Sequence, residues 1–247
     1  MGQIYEKTTK EIMIEYFGKL KTDEIFSTQE MIKYFKENYP KIKEGTVVAH
    51  LILFSTNAKS RVNHNSHKSG KCDLLYKINE NKFRLYNKDN DPDPIYKGDS
   101  VTDVEPTINK DEKDQEFAYE RDLRNFLEKN LQTIEKGLKL YEEEEGEIKI
   151  KGIEYPAGGK YIDILALDDK NNYVVIELKV SKGYERVIGQ LLYYMAWVEK
   201  NMVTEGQKVR GIIACKEISK ELLLACSKIN DIELFEYELS IKLNKKY

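Results

Sequence analysis

Residues 160–180 read KYIDILALDDKNNYVVIELKV. Two apolar runs, 160–167 and 173–180, flank the turn-forming set DDKNN, and this pattern predicts two neighbouring β-strands. Both runs carry polar residues that a buried strand does not accommodate cheaply. Asp163 interrupts an otherwise apolar stretch, and Glu177 and Lys179 stand two apart, so the pleat places both on one face while Leu178 packs on the other. If the two strands pair, Asp163 lies beside Glu177, and two carboxylates held close need a cation. Mg²⁺ satisfies both and keeps positions open for water and a phosphate oxygen. A structural ion pair with Lys179 accounts for Glu177 alone equally well. It does not account for Asp163 and for an acid on the preceding helix as well.

The flanking sequence supplies the rest of an α/β unit. Residues 117–141 place Phe117, Leu123, Phe126, Leu127, Leu131 and Ile134 at helical spacing, with Gly137 as the expected stop. A strand is expected over 147–156, a long helix over 184–201 and a buried strand over 209–215. ISKELLLACSKI (218–229) reads as a further helix and IELFEYELSIKL (232–243) as a last strand. The order αβββαβαβ describes a central mixed sheet flanked by helices.

This text resembles the PD-(D/E)XK nuclease superfamily and is similar to the carboxy-terminal domain of NucS-type (EndoMS-like) endonucleases. The resemblance extends over about residues 116–243. It rests on ERDLRNFL at 120–127, IEKGL at 134–138, GKYIDILA at 159–166, YVVIELK at 173–179 and IGQLLYY at 188–194. It implies a restriction-endonuclease-like fold, with Asp163 and Glu177 as metal ligands, the Leu178 carbonyl as an extra ligand and Lys179 assisting the attacking water. It further implies that Glu120 is the helix acid. Gln190 and Tyr194 match the Gln-x-x-x-Tyr helix pattern, with Gln190 positioning a base or backbone and Tyr194 counted among the DNA contacts. Mg²⁺ is the implied cofactor, with Mn²⁺ able to substitute. Two departures stand out: no Pro precedes Asp163, and the amino-terminal half does not look like the β-rich domain of NucS proteins.

That half reads as three short helices, over 7–19, from Ser27 or Thr28 to Tyr39, and over 44–54, followed by a hairpin DLLYKI–NEN–KFRLYN. The order is that of a winged helix, a small α+β fold whose third helix can enter the DNA major groove. The polar stretch after the third helix offers cations for phosphates and amides for bases: Lys59, Arg61, Asn63, His64, Asn65, His67, Lys68 and Lys71. Residues 1–87 carry 15 Lys/Arg against 10 Asp/Glu, whereas 88–116 carry 4 against 10, so the overall charge of −3 hides a basic front end. The acidic stretch holds three of the five prolines and reads as a linker, with a short strand at Ile95 and Tyr96. The expected division is therefore 1–87 for DNA recognition, 88–115 as linker and 116–247 as nuclease.

Charged residues make up 34% of the 247, and no apolar run approaches the length of a membrane span, which excludes an integral membrane helix protein. The polar opening and three cysteines without CxxC spacing point to a cytoplasmic protein with reduced thiols. The expected activity is Mg²⁺-dependent hydrolysis of double-stranded DNA by a site- or modification-specific restriction or defence endonuclease. Alternatives are a mismatch- or structure-specific repair endonuclease and a non-catalytic DNA-binding regulator on the same scaffold. Cutting both strands calls for two active sites, so a homodimer is expected.

Overall fold

A computed structural model describes residues 5–63, 70–96, 112–145, 148–183 and 185–238. They form two compact units that are not continuous in sequence. The first takes in the residues up to 96 together with Glu142–Lys151 and Pro156–Lys160. The second comprises the described residues from 112 to Tyr141, Gly152–Tyr155, and those from Tyr161 to 238.

In the first unit, α1 (Thr9–Phe17) and α2 (Thr28–Asn38) each begin with a capping box, Thr8 with Glu11 and Ser27 with Glu30. The serine or threonine oxygen takes an otherwise orphaned helix N–H, and the glutamate returns the bond to the cap. β1 (Phe26–Ser27) lies between these helices. α3 (Glu44–Phe54) follows, then a 3₁₀ turn (Lys59–Asn63) and the hairpin β2 (Leu75–Asn79) and β3 (Lys82–Leu85). β1 pairs with β3 to give the antiparallel order β1-β3-β2. Met13, Met31, Phe35, Leu51, Phe54 and Leu75 fill the core.

The helix order agrees with the sequence reading, but the role expected of α3 does not. All its residues except Ile52 are buried. One reason is a hairpin absent from the sequence reading, β5 (Glu142–Glu145) with β6 (Ile148–Lys151), whose second strand packs on α3. Lys43 Nζ holds Glu143 at 2.9 Å, and the buried carboxylate of Glu44 accepts the Gly158 N–H at 2.9 Å. In this arrangement α3 has no free face to insert into a groove. Residues 87–96 also differ from a free linker. Arg84 pairs with Asp91, the Ile95 N–H donates to the Thr56 carbonyl at 2.9 Å, and no strand forms at Ile95 and Tyr96.

The second unit starts with α4 (Glu112–Lys129). It stops well before Gly137, at Asn130, whose side-chain amide donates to the Phe126 carbonyl at 2.7 Å. A 3₁₀ turn (Leu131–Thr133) leads into β4 (Lys139–Leu140). The single strand expected over 147–156 is broken at Gly152, with β7 (Ile153–Ala157) beyond it. There the backbone bridges Tyr141 and Leu165, and a Cβ would lie 2.0 Å from the Leu165 oxygen, so only glycine fits. β8 (Lys160–Leu167), β9 (Tyr173–Gly183), α5 (Arg186–Asn201), β10 (Val209–Ile218), α6 (Lys220–Cys226) and β11 (Ile232–Glu236) complete the unit. The sheet runs β11-β10-β9-β8-β4, with β7 also on β8. β9, β10 and β11 are parallel and β8 is antiparallel to β9. It is thus a mixed sheet flanked by helices.

Register decides what faces what. Ile164, Ala166, Val174, Ile176 and Leu178 pack with Leu123 and Leu127 of α4. The alternate residues face α5: a Cβ on Gly211 would lie 2.7 Å from Leu191 and Met195, and Gly211 is in register with Val175. Glu177 and Lys179 therefore look toward α5. Cys72, Cys215 and Cys226 are buried and form no disulfide. Among the described residues no helix is long and apolar enough to cross a membrane.

Candidate active site

In the β8–β9 ladder Ile164 pairs with Ile176, and Asp163 and Glu177 come next on their strands. There the Asp163 carboxylate takes the place of a strand partner: its Oδ2 accepts the Leu178 N–H at 2.8 Å. Lys179 Nζ donates to Glu177 Oε1 at 2.8 Å. Glu177 is only 1% exposed, and its other oxygen, Oε2, is buried without a hydrogen-bond partner. A buried carboxylate oxygen left in this state is costly unless something else binds it.

The charges register one another. Burial, then the neighbouring Asp163, push the Glu177 carboxyl up to about 7, with Glu120 of α4 adding to the rise and Lys179 opposing it. Burial also raises Asp163, against the Leu178 N–H, Lys179 and Arg124. Burial by itself lowers Lys179, but Glu177, Glu120 and Asp163 together outweigh it and the ammonium is raised. Gln190 Nε2 lies 3.4 Å from the Tyr194 hydroxyl on α5, and Tyr194 responds to Glu177, Asp163 and Lys179. Glu120, Asp163, Glu177, Lys179, Gln190 and Tyr194 thus share one electrostatic neighbourhood. Tyr194 is 3% exposed, which removes it as a stacking surface for a base.

Two participants were not assigned from sequence. Arg124, one helical turn after Glu120, is buried. Its Nη2 lies 2.8 Å from Glu154 of β7 and its Nη1 4.0 Å from Asp163 Oδ1. The signal available in the sequence was an arginine set into the apolar stripe between Leu123 and Leu127. Glu154 left no such signal, since the strand break that places it depends on Gly152.

The expected DNA contacts fare unevenly. Lys59 and Lys71 are exposed, and Asn63 closes the 3₁₀ turn. His64, Asn65, His67 and Lys68 lie outside the described residues. Arg61 is corrected outright: its side chain has no exposure. It donates to the Leu53 and Ile95 carbonyls, pairs with Asp73 and lies over the Tyr96 ring. A guanidinium so enclosed is a fold element and cannot reach a phosphate.

Residues 119–238 match the family model described as the endonuclease NucS C-terminal domain. Residues 119–238 are thus similar to the carboxy-terminal domain of NucS endonucleases. Residues 8–85 match a family model described only as a domain of unknown function, DUF7669. Among solved structures, a repair endonuclease from Pyrococcus abyssi matches with 23% identity over 53% of this chain and 49% of its own, at a TM-score of 0.38. EndoMS in a complex with double-stranded DNA matches with 18% identity over 66% and 53%, at 0.40. EndoMS in apo form matches with 23% identity over 49% and 47%, at 0.38. The chain spans about half the length of these structures.

Asp163 and Glu177 are the groups available to a hard divalent cation. Among the described residues no set of three or more His, Cys, Asp or Glu forms a cage. Two carboxylate ligands suit Mg²⁺, which keeps waters and usually takes one or two carboxylates. The unpartnered Glu177 oxygen fits the same requirement.

Proposed function

We propose that the protein is a divalent-metal-dependent DNA endonuclease. The observation that carries this reading is the buried, unpartnered Glu177 oxygen beside Asp163 and Lys179. Asp163 and Glu177 would hold Mg²⁺, or Mn²⁺ in its place, with the Leu178 carbonyl as a further oxygen. The cation, when bound, polarises a scissile phosphate and acidifies a water.

The chain's own residues then divide the remaining work. Lys179, whose ammonium donates to Glu177 at 2.8 Å, would orient the attacking water and offset charge on the phosphate. Glu120 adds negative potential at the outer edge of the site, and Gln190, held near Tyr194, offers an amide to the DNA. With α3 enclosed, duplex contact falls to Lys59, Lys71 and their neighbourhood. A concavity of about 440 Å³ lies there, lined by Lys59, Ser60, Lys77 and Asn79. In sequence the stretch that matches the NucS model follows one that matches a different family model, and on that ground we read the target as site- or modification-specific cleavage, as in restriction and defence. A homodimer would supply one active site per strand.

A cleavage assay with Mg²⁺ or Mn²⁺ on matched, mismatched, branched and differently methylated duplexes tests this. Preferential cutting of one methylation state supports it, and cutting confined to mismatches or branches transfers the protein to repair. DNA binding without any cleavage makes it a regulator. The intact set of Asp163, Glu177 and Lys179 argues against that last outcome.

A further inference from the structure

Arg124 approaches Asp163 but does not close on it. Its Nη1 stands 4.0 Å from Asp163 Oδ1, beyond hydrogen-bond distance, while Nη2 reaches Glu154 at 2.8 Å. The guanidinium is not held back for want of donors, because its Nε is buried and unpartnered. Asp163 Oδ2 is engaged by the Leu178 N–H, so Oδ1 is the oxygen that a closing guanidinium would take. A shift of roughly 1 Å would convert the present separation into an ordinary charge-assisted bond.

Glu154 has a feature of its own. Its backbone lies in the left-handed region, φ 46°, which glycine and asparagine adopt far more readily than glutamate. Its side chain is 57% exposed, so packing does not require a glutamate there. A residue kept in a rare conformation, exposed, with its carboxylate on a buried arginine, is a candidate for a purpose other than stability.

We infer that Glu154 and Arg124 are positioning residues that regulate access to Asp163: Glu154 tethers the guanidinium and so leaves Asp163 Oδ1 free for the divalent cation. This inference rests on the metal site proposed above. Without the tether, Arg124 closes on Asp163 and competes with the cation for that oxygen.

The test is Mn²⁺ binding by the full-length chain without DNA, measured calorimetrically for wild type, Glu154→Gln, Arg124→Gln and the double variant, with Glu177→Gln as reference. Glu154→Gln is expected to weaken Mn²⁺ binding about tenfold when Arg124 is present. In the Arg124→Gln background the same change is expected to cost less than about twofold, because nothing is left to compete. Equal factors in the two backgrounds would overturn the inference, since they would make Glu154 a simple distant charge. Should Arg124→Gln fail to fold, Arg124→Met serves as the second background. A crystal structure of Glu154→Gln gives an independent reading: Arg124 bonded to Asp163 is expected, and a separation unchanged from wild type overturns the tether. Wild-type protein that takes up no Mn²⁺, or takes it up equally after Glu177→Gln, removes the metal site and the tether together. Mn²⁺ binding that depends on Glu177 but shows no Glu154–Arg124 coupling removes the tether alone.

Discussion

Both units bury charged side chains, and they treat them in opposite ways. In the first, Arg61 is enclosed with two carbonyls, a carboxylate and an aromatic ring around it, and Glu44 takes a backbone N–H and faces Lys36. In the second, Glu177 keeps one oxygen without a partner and Arg124 keeps one N–H without a partner. A buried charge whose valences are met is a fastening for the fold. One left partly unmet in a folded core is costly to the fold and available for binding.

The contrast is broken most directly by truncating each kind. Glu177→Ala or Lys179→Ala should lower Mg²⁺-dependent cleavage by about 10⁴-fold while DNA affinity, read by filter binding or anisotropy, is retained. Cleavage that persists in highly purified variants would mean that the unmet valence has no catalytic use. Arg61→Met should do the reverse. It leaves Asp73 Oδ1 and two carbonyls without the donor that Arg61 supplies, although Tyr96 still donates to Asp73 Oδ2, and the expected loss is about 3–5 kcal/mol in urea denaturation. At a temperature where this variant is folded, its cleavage rate should match wild type.

The two halves also differ in how much of them the sequence disclosed. β8 lies at its expected bounds, and Asp163, Glu177 and Lys179 come together as their spacing implied. An apolar strand interrupted by an acid is a local signal, readable without knowing the fold. Arg61 shows the limit, because an arginine among lysines and histidines reads as surface. Its burial depends on Leu53, Asp73 and Ile95, which the chain assembles from separate segments. The hairpin β5–β6 was hidden for a related reason. Four consecutive glutamates suggest solvent, and only their pairing with Ile148, Lys149, Ile150 and Lys151 makes a strand. α3 is apolar on nearly every side, which marks it for burial from its own residues, but the hairpin that helps α1 and α2 to cover it could not be read there.

A milder test uses pH on the metal-free chain. Glu177 is raised from its ordinary value to about 7, so between about 4.5 and 7 the folded state holds a proton that the unfolded chain has released. Stability therefore falls as pH rises through that window and levels off above it, and the raised Asp163 adds to the slope in the same direction. The melting temperature should drop on the order of 5 °C from pH 5 to pH 8. Glu177→Gln should flatten the slope, and Mn²⁺ at pH 8 should recover the loss. A flat profile in the wild type would mean that the buried carboxylate is already compensated, which would dissolve the difference from Arg61.

The smallest effects are expected at the exposed cations of the first unit, and they sharpen the comparison from the other side. Lys59 and Lys71 are exposed, unlike Arg61 between them in sequence. If they contact phosphates, each change to alanine releases about one fewer counterion, so the slope of log affinity against log salt should become shallower by about one. The loss should be similar for every duplex sequence, because a lysine on a phosphate reads no base. Fold stability should stay within about 0.5 kcal/mol of wild type, as it does for exposed positions generally. Arg61→Met should show the opposite pair of results, a large stability loss and an unchanged salt slope in the folded protein. A salt slope that moves with Arg61 and ignores Lys59 and Lys71 would place the DNA on a different face of this unit.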